Sequence, residues 1–367
     1  MQPIKKPGKI SIHHYLGDFQ GVGTIRVIFP SLFINNALRI PGYQFNSVYN
    51  TQYINDLKYY QNFTMVSFQR ATTDKHLGLI QHFKTNIRKI TKTPLTLEID
   101  DLLWGIPVWN YASEYYTKYK DSVQQIMREV DGITVSTEFL KKEYSAFNEK
   151  IVVIPNHLPK CLWGEPIPQH TLDKPGKVRI VWAGSDNHHA NTNLTAKGIK
   201  GGDFGPELMD FIRKTCKDYD WHILGGCPAE LSDLKNNGIT YHGWRSIFEY
   251  PLFARSLAPD IVIAPLLDCD FNRAKSNLKM LEAVALGAAG VYSDVEPYKG
   301  AMMLAKDDLE MVGMIENLAA YKELRGKVFE HDLQLVKDVL YWEDGNMKNV
   351  QSYIGSYLSL FGRYLEV

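Results

Sequence analysis

The feature that most limits the fold is an alternation of short apolar runs with longer stretches of helical period, kept up along nearly the whole chain. In the first half the strand candidates are residues 10–16, 45–49, 63–68, 94–100, 131–137 and 150–156, with helical spacing near 24–38, 74–90, 111–129 and 137–147. Strands separated by helices predict parallel sheets built from βαβ units. Residues 157–177, HLPKCLWGEPIPQHTLDKPGK, are rich in proline and carry no period. The alternation then restarts, with strands at 178–184, 221–226, 239–244, 260–266 and 289–294 and helical stretches near 205–216, 247–257 and 276–286. From about residue 307 the pattern is helical to the end. A chain of 367 residues also exceeds what one small core serves. The expected organisation is α/β: a Rossmann-like doubly wound domain over 1–160, a linker over 161–177, a second such domain over 178–340, and a helical C-terminal tail over 341–367 able to cross back to the first domain. Ligands of doubly wound sheets bind beyond the carboxyl ends of the strands, so the loops there are the places to search.

Composition narrows the setting. Hydrophobic residues make up 45% and charged residues 22% of the chain, the balance of a soluble globular protein. No apolar run approaches the roughly 20 residues needed to span a bilayer, and the opening MQPIKKPGKISIHH has no signal-peptide core, so a cytoplasmic protein is expected. Cys161, Cys216, Cys227 and Cys269 form no CxxC pair and read as reduced packing thiols. Net charge is zero overall, but residues 1–93 hold 12 Lys and Arg against 3 Asp and Glu, a surplus of 12 − 3 = 9. The surplus includes Lys75, Lys84, Arg88, Lys89 and Lys92. A polyanionic partner would use such a face, with Lys84, Arg88 and Lys89 as the contacts, and a solvated basic surface is the plainer alternative.

The most informative loop is 271–294, FNRAKSNLKMLEAVALGAAGVYSD. Leu278, Leu281, Val284, Ala285 and Leu286 recur at helical spacing, and Gly287 is a natural stop. With Ser276 as N-cap, the amides of Asn277 and Leu278, the positive helix end, Lys275 and Lys279 would converge on one point, which suits a phosphate. Glu282 would then accept hydrogen bonds from sugar hydroxyls beside it. An ordinary capped helix with exposed lysines fits the same residues. Elsewhere, Gly17, Gly21 and Gly23 follow the first strand, Asp100 and Asp101 end the fourth, and Gly184 and Ser185 open the loop WAGSDNHH after the first strand of the second half. Lys197 and Lys200 are the alternatives for a lysine shortly after the strand 178–184, and Trp244 closes the strand candidate 239–244. His188 and His189 have no acidic partner at zinc-like spacing. The string DCD, Asp268–Asp270, is the short motif by which metal-dependent transferases chelate a divalent ion, and it is frequent by chance.

Taken in order, LEIDDLLWGIP, DGITVSTEFL, VVIPN, VRIVWAGSDNH, HILGG and DIVIAPLLDCDFNRAKSNLKMLEAVALGAAGVYSDVEPY resemble the retaining glycosyltransferases of the GT-B fold, family 4. The resemblance runs over about residues 10 to 300 and is best in the second half. It implies two Rossmann-like domains facing a cleft, with a nucleotide-diphosphate sugar, a UDP-sugar by expectation, held mainly by the second domain and an acceptor entering from the first. It makes Gly21, Gly23, Gly184, Ser185, Lys200, Trp244, Lys275, Ser276, Asn277, Lys279 and Glu282 the donor-binding candidates, with Glu282 at the ribose-binding position. Asp100 and Asp101 are the candidate catalytic carboxylates. The chain departs from the family at Ala274, where a first glutamate is usual, at Ser185, where an arginine is usual, and at Asp100, where a histidine is usual. The implied reaction needs no metal and no cofactor. Among acceptors, hydroxymethylated cytosine in duplex DNA, modified by transferases of some bacteriophages, suits the basic first 93 residues. A cell-surface glycan, a small metabolite, or a non-catalytic sugar-nucleotide binding protein are the alternatives.

Overall fold

The runs Met65–Gln69, Leu95–Ile99 and Gly132–Val135 are buried at every residue, which a strand achieves only when both faces of its sheet are covered. In the computed structural model, which describes residues 8–36, 43–190, 192–235, 237–343 and 348–361, the three lie side by side. They are β3, β4 and β5 of a parallel sheet completed by β1 (Gly8–Tyr15), β2 (Tyr43–Asn50) and β6 (Ile151–Val153), in the order β2-β1-β3-β4-β5-β6. The register sets Ile12 beside Met65, Val66 beside Leu95 and Leu97 beside Ile133. A second six-stranded parallel sheet runs β12-β11-β10-β7-β8-β9. Its strands are β7 (Arg179–Gly184), β8 (Asp220–Gly225), β9 (Thr240–His242), β10 (Ile261–Ala264), β11 (Ala289–Ser293) and β12 (Leu304–Ala305). β12 has two residues, too short for a periodicity to show.

Helices cover these sheets where local chemistry starts them. Thr73 opens the helix Asp74–His82 with a capping box closed by His76, and the Asp307 side chain accepts from the Glu310 amide at the start of Asp308–Ala320; each satisfies backbone donors that a helix start leaves over. The helix Leu278–Ala285 ends before Gly287, whose φ of +72° is the usual stop.

The chain divides into two compact units. The first comprises the chain to Asp101, Tyr116–His157 and the part from Tyr341 onward. Its C-terminal helix Lys348–Phe361 carries Val350, Tyr353, Ile354, Tyr357 and Leu360 on one stripe, and these pack with Ile10, Ile12, Ile34 and Met65. The second unit comprises Leu102–Tyr115 and Leu158–Leu340. Its core joins Trp182, Trp221, Ile223, Ile263 and Val291 from the sheet to Leu208, Ile212, Met311 and Ile315 from helices.

Two boundaries differ from expectation. Residues 102–115, placed by the pattern in the first domain, pack with the second, where the Trp109 ring lies against Gly201 and Gly105 approaches the backbone of Phe271. Residues 161–177, expected as a linker, are built into the second unit: Trp163 is buried, Gln169 Nε2 donates to the Leu286 carbonyl at 3.1 Å, and Lys174 pairs with Asp260 at 2.6 Å. No described helix is long and apolar enough to cross a membrane, and all four cysteines are free thiols.

Candidate functional site

In the second unit the loops after β7, β8 and β10 meet at the carboxyl edge of the sheet. β7 ends at Gly184, and Ser185 Oγ accepts from the Asn187 amide to start the short turn Asp186–His188. β8 ends at Gly225, with φ +89°, where a Cβ would stand 2.3 Å from the Gly184 carbonyl oxygen. Only glycine lets the two loops close that far, and the Gly226 amide then donates to Gly184 O at 2.8 Å. The loop after β10 is tied to the loop after β7 by one buried carboxylate, Asp203. Its Oδ1 accepts from the Leu267 amide at 2.9 Å and Asn272 Nδ2 at 2.7 Å, and its Oδ2 from His188 Nδ1 at 2.8 Å.

Glu282 lies on the helix Leu278–Ala285. It is 5% exposed, and its Oε2 accepts from the Tyr250 hydroxyl at 2.9 Å and from Lys279 Nζ at 2.6 Å. Burial beside that carboxylate pushes the Tyr250 phenol well up, so it stays a neutral donor. Lys275 Nζ lies 4.7 Å from the centre of the Phe271 ring. Burial holds His188 below the ordinary histidine range; Asp203 opposes this, and the nearby charges of Lys275 and Lys279 add to it. Gly184, Lys275, Lys279 and Glu282 are thus brought into one neighbourhood with His188. Trp244, 62% exposed, lies against Gly225, and Lys200 is exposed. The expected cap moves by one residue: Asn277, not Ser276, holds the N-cap position, and its side chain makes no capping bond. The short helix Asp270–Arg273 ends at Ala274, and the chain re-enters helix only at Leu278, one residue later than the hydroxyl suggested.

The carboxyl edge of the first unit is different. After β1, Asp18 Oδ1 accepts from the Gln20 amide at 2.7 Å and the Gly23 amide at 3.3 Å, and a Cβ on Gly23 would stand 1.8 Å from the Asp18 carbonyl oxygen. Gly23 serves that close turn, and its amide, a candidate for the donor, already bonds the Asp18 carboxylate. Asp100 and Asp101 are both held by Arg70, whose Nε donates to Asp100 Oδ1 at 2.8 Å and whose Nη2 donates to Asp101 Oδ2. Arg70 has φ +49°, an uncommon and strained backbone for a side chain of this kind. One layer below, Arg26 Nε donates to Glu98 Oε1 at 2.7 Å, with both side chains at most 3% exposed. Burial raises Asp100 above the usual carboxylate range against the pull of Arg70.

The expected acceptor contacts lie at the other edge. The helix that starts at Asp74 beyond β3 runs back toward the amino ends of the strands, carrying Lys84, Arg88 and Lys89 with it. Arg88 pairs with Asp131, which also accepts the amide of Leu95, the first residue of β4, at 2.8 Å. Lys84 pairs with Glu129 at 2.5 Å, and Lys89 is exposed. Part of the counted surplus, Lys5, Lys6 and Arg39, lies outside the described residues, as does the start of the chain read for a signal peptide. The DCD string is also committed: Arg273 donates to both oxygens of Asp268 at 2.7 and 2.9 Å and to Asp270 at 3.0 Å. Among the described residues no group of three or more His, Cys, Asp or Glu is arranged to hold a metal ion.

The sequence did not single out Asp203, Tyr250, Arg70 or Arg273. Asp203, alone among the glycines of GIKGGDFG, was the one with a visible signal.

No protein-family model and no curated protein matches the chain. Among solved structures, a mutant O-GlcNAc transferase from Thermobaculum terrenum superposes with a TM-score of 0.55 at 12% identity, over 99% of this chain and 69% of that one. A UDP-N-acetylglucosamine 2-epimerase from Rickettsia bellii gives 0.43 at 12% identity over 97% of each chain, too loose to carry an argument. The first likeness shows the fold: two Rossmann-like units of the GT-B class, with a helical C-terminal region.

Proposed function

We propose that the protein is a glycosyltransferase that moves a sugar from a nucleotide-diphosphate sugar, by preference a UDP-sugar, to an acceptor hydroxyl, with retention of configuration and without a metal. The observation that carries this reading is Glu282, buried in the helix Leu278–Ala285 and oriented by Tyr250 and Lys279, with Lys275 just before that helix. A carboxylate so held accepts from a ribose diol, and the lysines beside it take the diphosphate. When the anomeric C–O bond breaks, its electron pair leaves with the diphosphate, the acceptor oxygen bonds the anomeric carbon, and the acceptor's hydroxyl proton passes to the departing phosphate, whose charge preorganised cations stabilise. Asp100 and Asp101, steadied by Arg70, supply fixed acceptors for hydroxyls of the transferred sugar or of the acceptor.

Hydroxymethylated duplex DNA, proposed as acceptor from the charge of residues 1–93, draws no support from Lys84 and Arg88, whose charges are spent on Glu129 and Asp131. It is one member of the acceptor panel that tests the function. The protein is incubated with UDP-, GDP- and ADP-sugars, with and without glycan, small-molecule and hydroxymethylated DNA acceptors, and nucleoside diphosphate release is followed. Release that an acceptor accelerates, with a product of unchanged anomeric configuration by NMR, is expected. No release from any donor, or conversion of the donor's sugar without transfer, would reject the transferase reading.

A further inference from the structure

The pair His188–Asp203 has a geometry that ordinary packing does not require. Its backbone is zipped: the Asp203 amide donates to His188 O at 2.7 Å, the Ala190 amide donates to Gly201 O at 2.9 Å, and His189 bridges Gly202. Both Asp203 oxygens are committed, to Leu267, Asn272 and His188, and its side chain is 4% exposed. A carboxylate on Nδ1 fixes the ring proton at that nitrogen, so Nε2 is the one that gains or loses a proton. The ring edge that carries Nε2 lies against Gly184 at the end of β7, since Cδ2 is the ring atom nearest to it. The Trp182 ring stands edge-on at 5.8 Å.

The charges acting on His188 are Asp203, which favours the protonated ring, and Lys275 and Lys279, which together with burial disfavour it, with the neighbouring His189 ring also in reach. An anion of two or more charges placed between the ring and the lysines reverses that balance.

We propose that His188, oriented by Asp203, takes up a proton when a nucleoside diphosphate binds and donates Nε2–H to it, so that the leaving group meets an imidazolium. This rests on the donor site proposed above. The ring takes its proton from solvent on binding and returns it on release, so it adds no net proton to the transfer, whose own released proton is that of the acceptor hydroxyl.

UDP, and GDP as the second probe, are titrated calorimetrically into the full chain between pH 7 and 8.5, where the nucleotide is itself fully ionised, in two buffers of different ionisation enthalpy. The expected result is uptake of about one proton per nucleotide and an affinity that falls up to about tenfold per pH unit while the free ring is neutral and the bound ring protonated, flattening once the bound ring loses its proton. His188→Gln, which donates a hydrogen bond but cannot titrate, should bind more weakly, with no uptake and a flat pH profile. Asp203→Asn, checked for folding by circular dichroism, should lose part of the uptake. Nucleotide binding without proton uptake, or uptake that survives His188→Gln, overturns the inference and leaves the donor site standing. Absence of binding by either nucleotide overturns both.

Discussion

At the carboxyl edge of the first sheet, Arg70 bridges Asp100 and Asp101 and Arg26 holds Glu98, so each guanidinium is spent on a carboxylate of its own chain. At the carboxyl edge of the second sheet, Asp203 is spent on two loops and a histidine, while Lys275 rests on an aromatic ring. Both edges come from the same parallel architecture. The first pairs its guanidinium groups with its own carboxylates; at the second, Lys279 is paired with Glu282 while Lys275 lies over the Phe271 ring, and on the proposed function these lysines turn to the arriving anion. Fold alone therefore does not choose the site, and the pairing of charges does.

The contrast predicts that the first edge, when cut, loses stability and the second loses affinity. Arg70→Ala leaves Asp100 and Asp101 unpaired with side chains 14% and 25% exposed, and should cost about 3 kcal/mol in urea unfolding while UDP affinity stays unchanged. An Arg70→Ala protein of full stability would break the account of the first edge. Glu282→Ala should do the reverse. It removes charge-assisted hydrogen bonds worth about 1.5–3 kcal/mol, a roughly 10- to 150-fold weaker UDP dissociation constant by calorimetry, in a chain that keeps its circular dichroism. Unchanged affinity would remove Glu282 from the donor site. Smallest is the effect at the DCD string. Because Arg273 already neutralises exposed Asp268, Asp268→Asn should shift stability by less than about 0.5 kcal/mol, and transfer activity should survive excess EDTA. Loss of activity to the chelator, restored by Mn²⁺, would reinstate a metal role for the string.

Much of the fold was legible because it rests on local periodicity. The apolar runs of β1 to β11 and the helical spacing between them are properties of consecutive residues, and so is the stop at Gly287. What was not legible depends on contacts distant in sequence. Residues 102–115 follow β4 directly, and nothing local tells that Trp109 packs on Gly201. The proline-rich 161–177 reads as a linker until Gln169 is seen bonded to Leu286. In the site, Glu282 and Lys275 could be named from one motif, whereas Tyr250 and Asp203 reach it across sequence gaps of 32 and 15 residues. Charge counting misled most, because the lysine and arginine counted at 84 and 88 are each paired with an acid more than 40 positions away.

On the proposed function, an anionic nucleotide is received at the second carboxyl edge and not at the first. Hydrogen–deuterium exchange of the full chain, with and without saturating UDP, tests it directly. Protection confined to the backbone of residues 184–190 and 266–282, with 17–23, 70–73 and 98–101 unchanged, is the predicted result. Protection centred on the glycine turn after β1 or on Arg70, Asp100 and Asp101, or no protection anywhere, would contradict it.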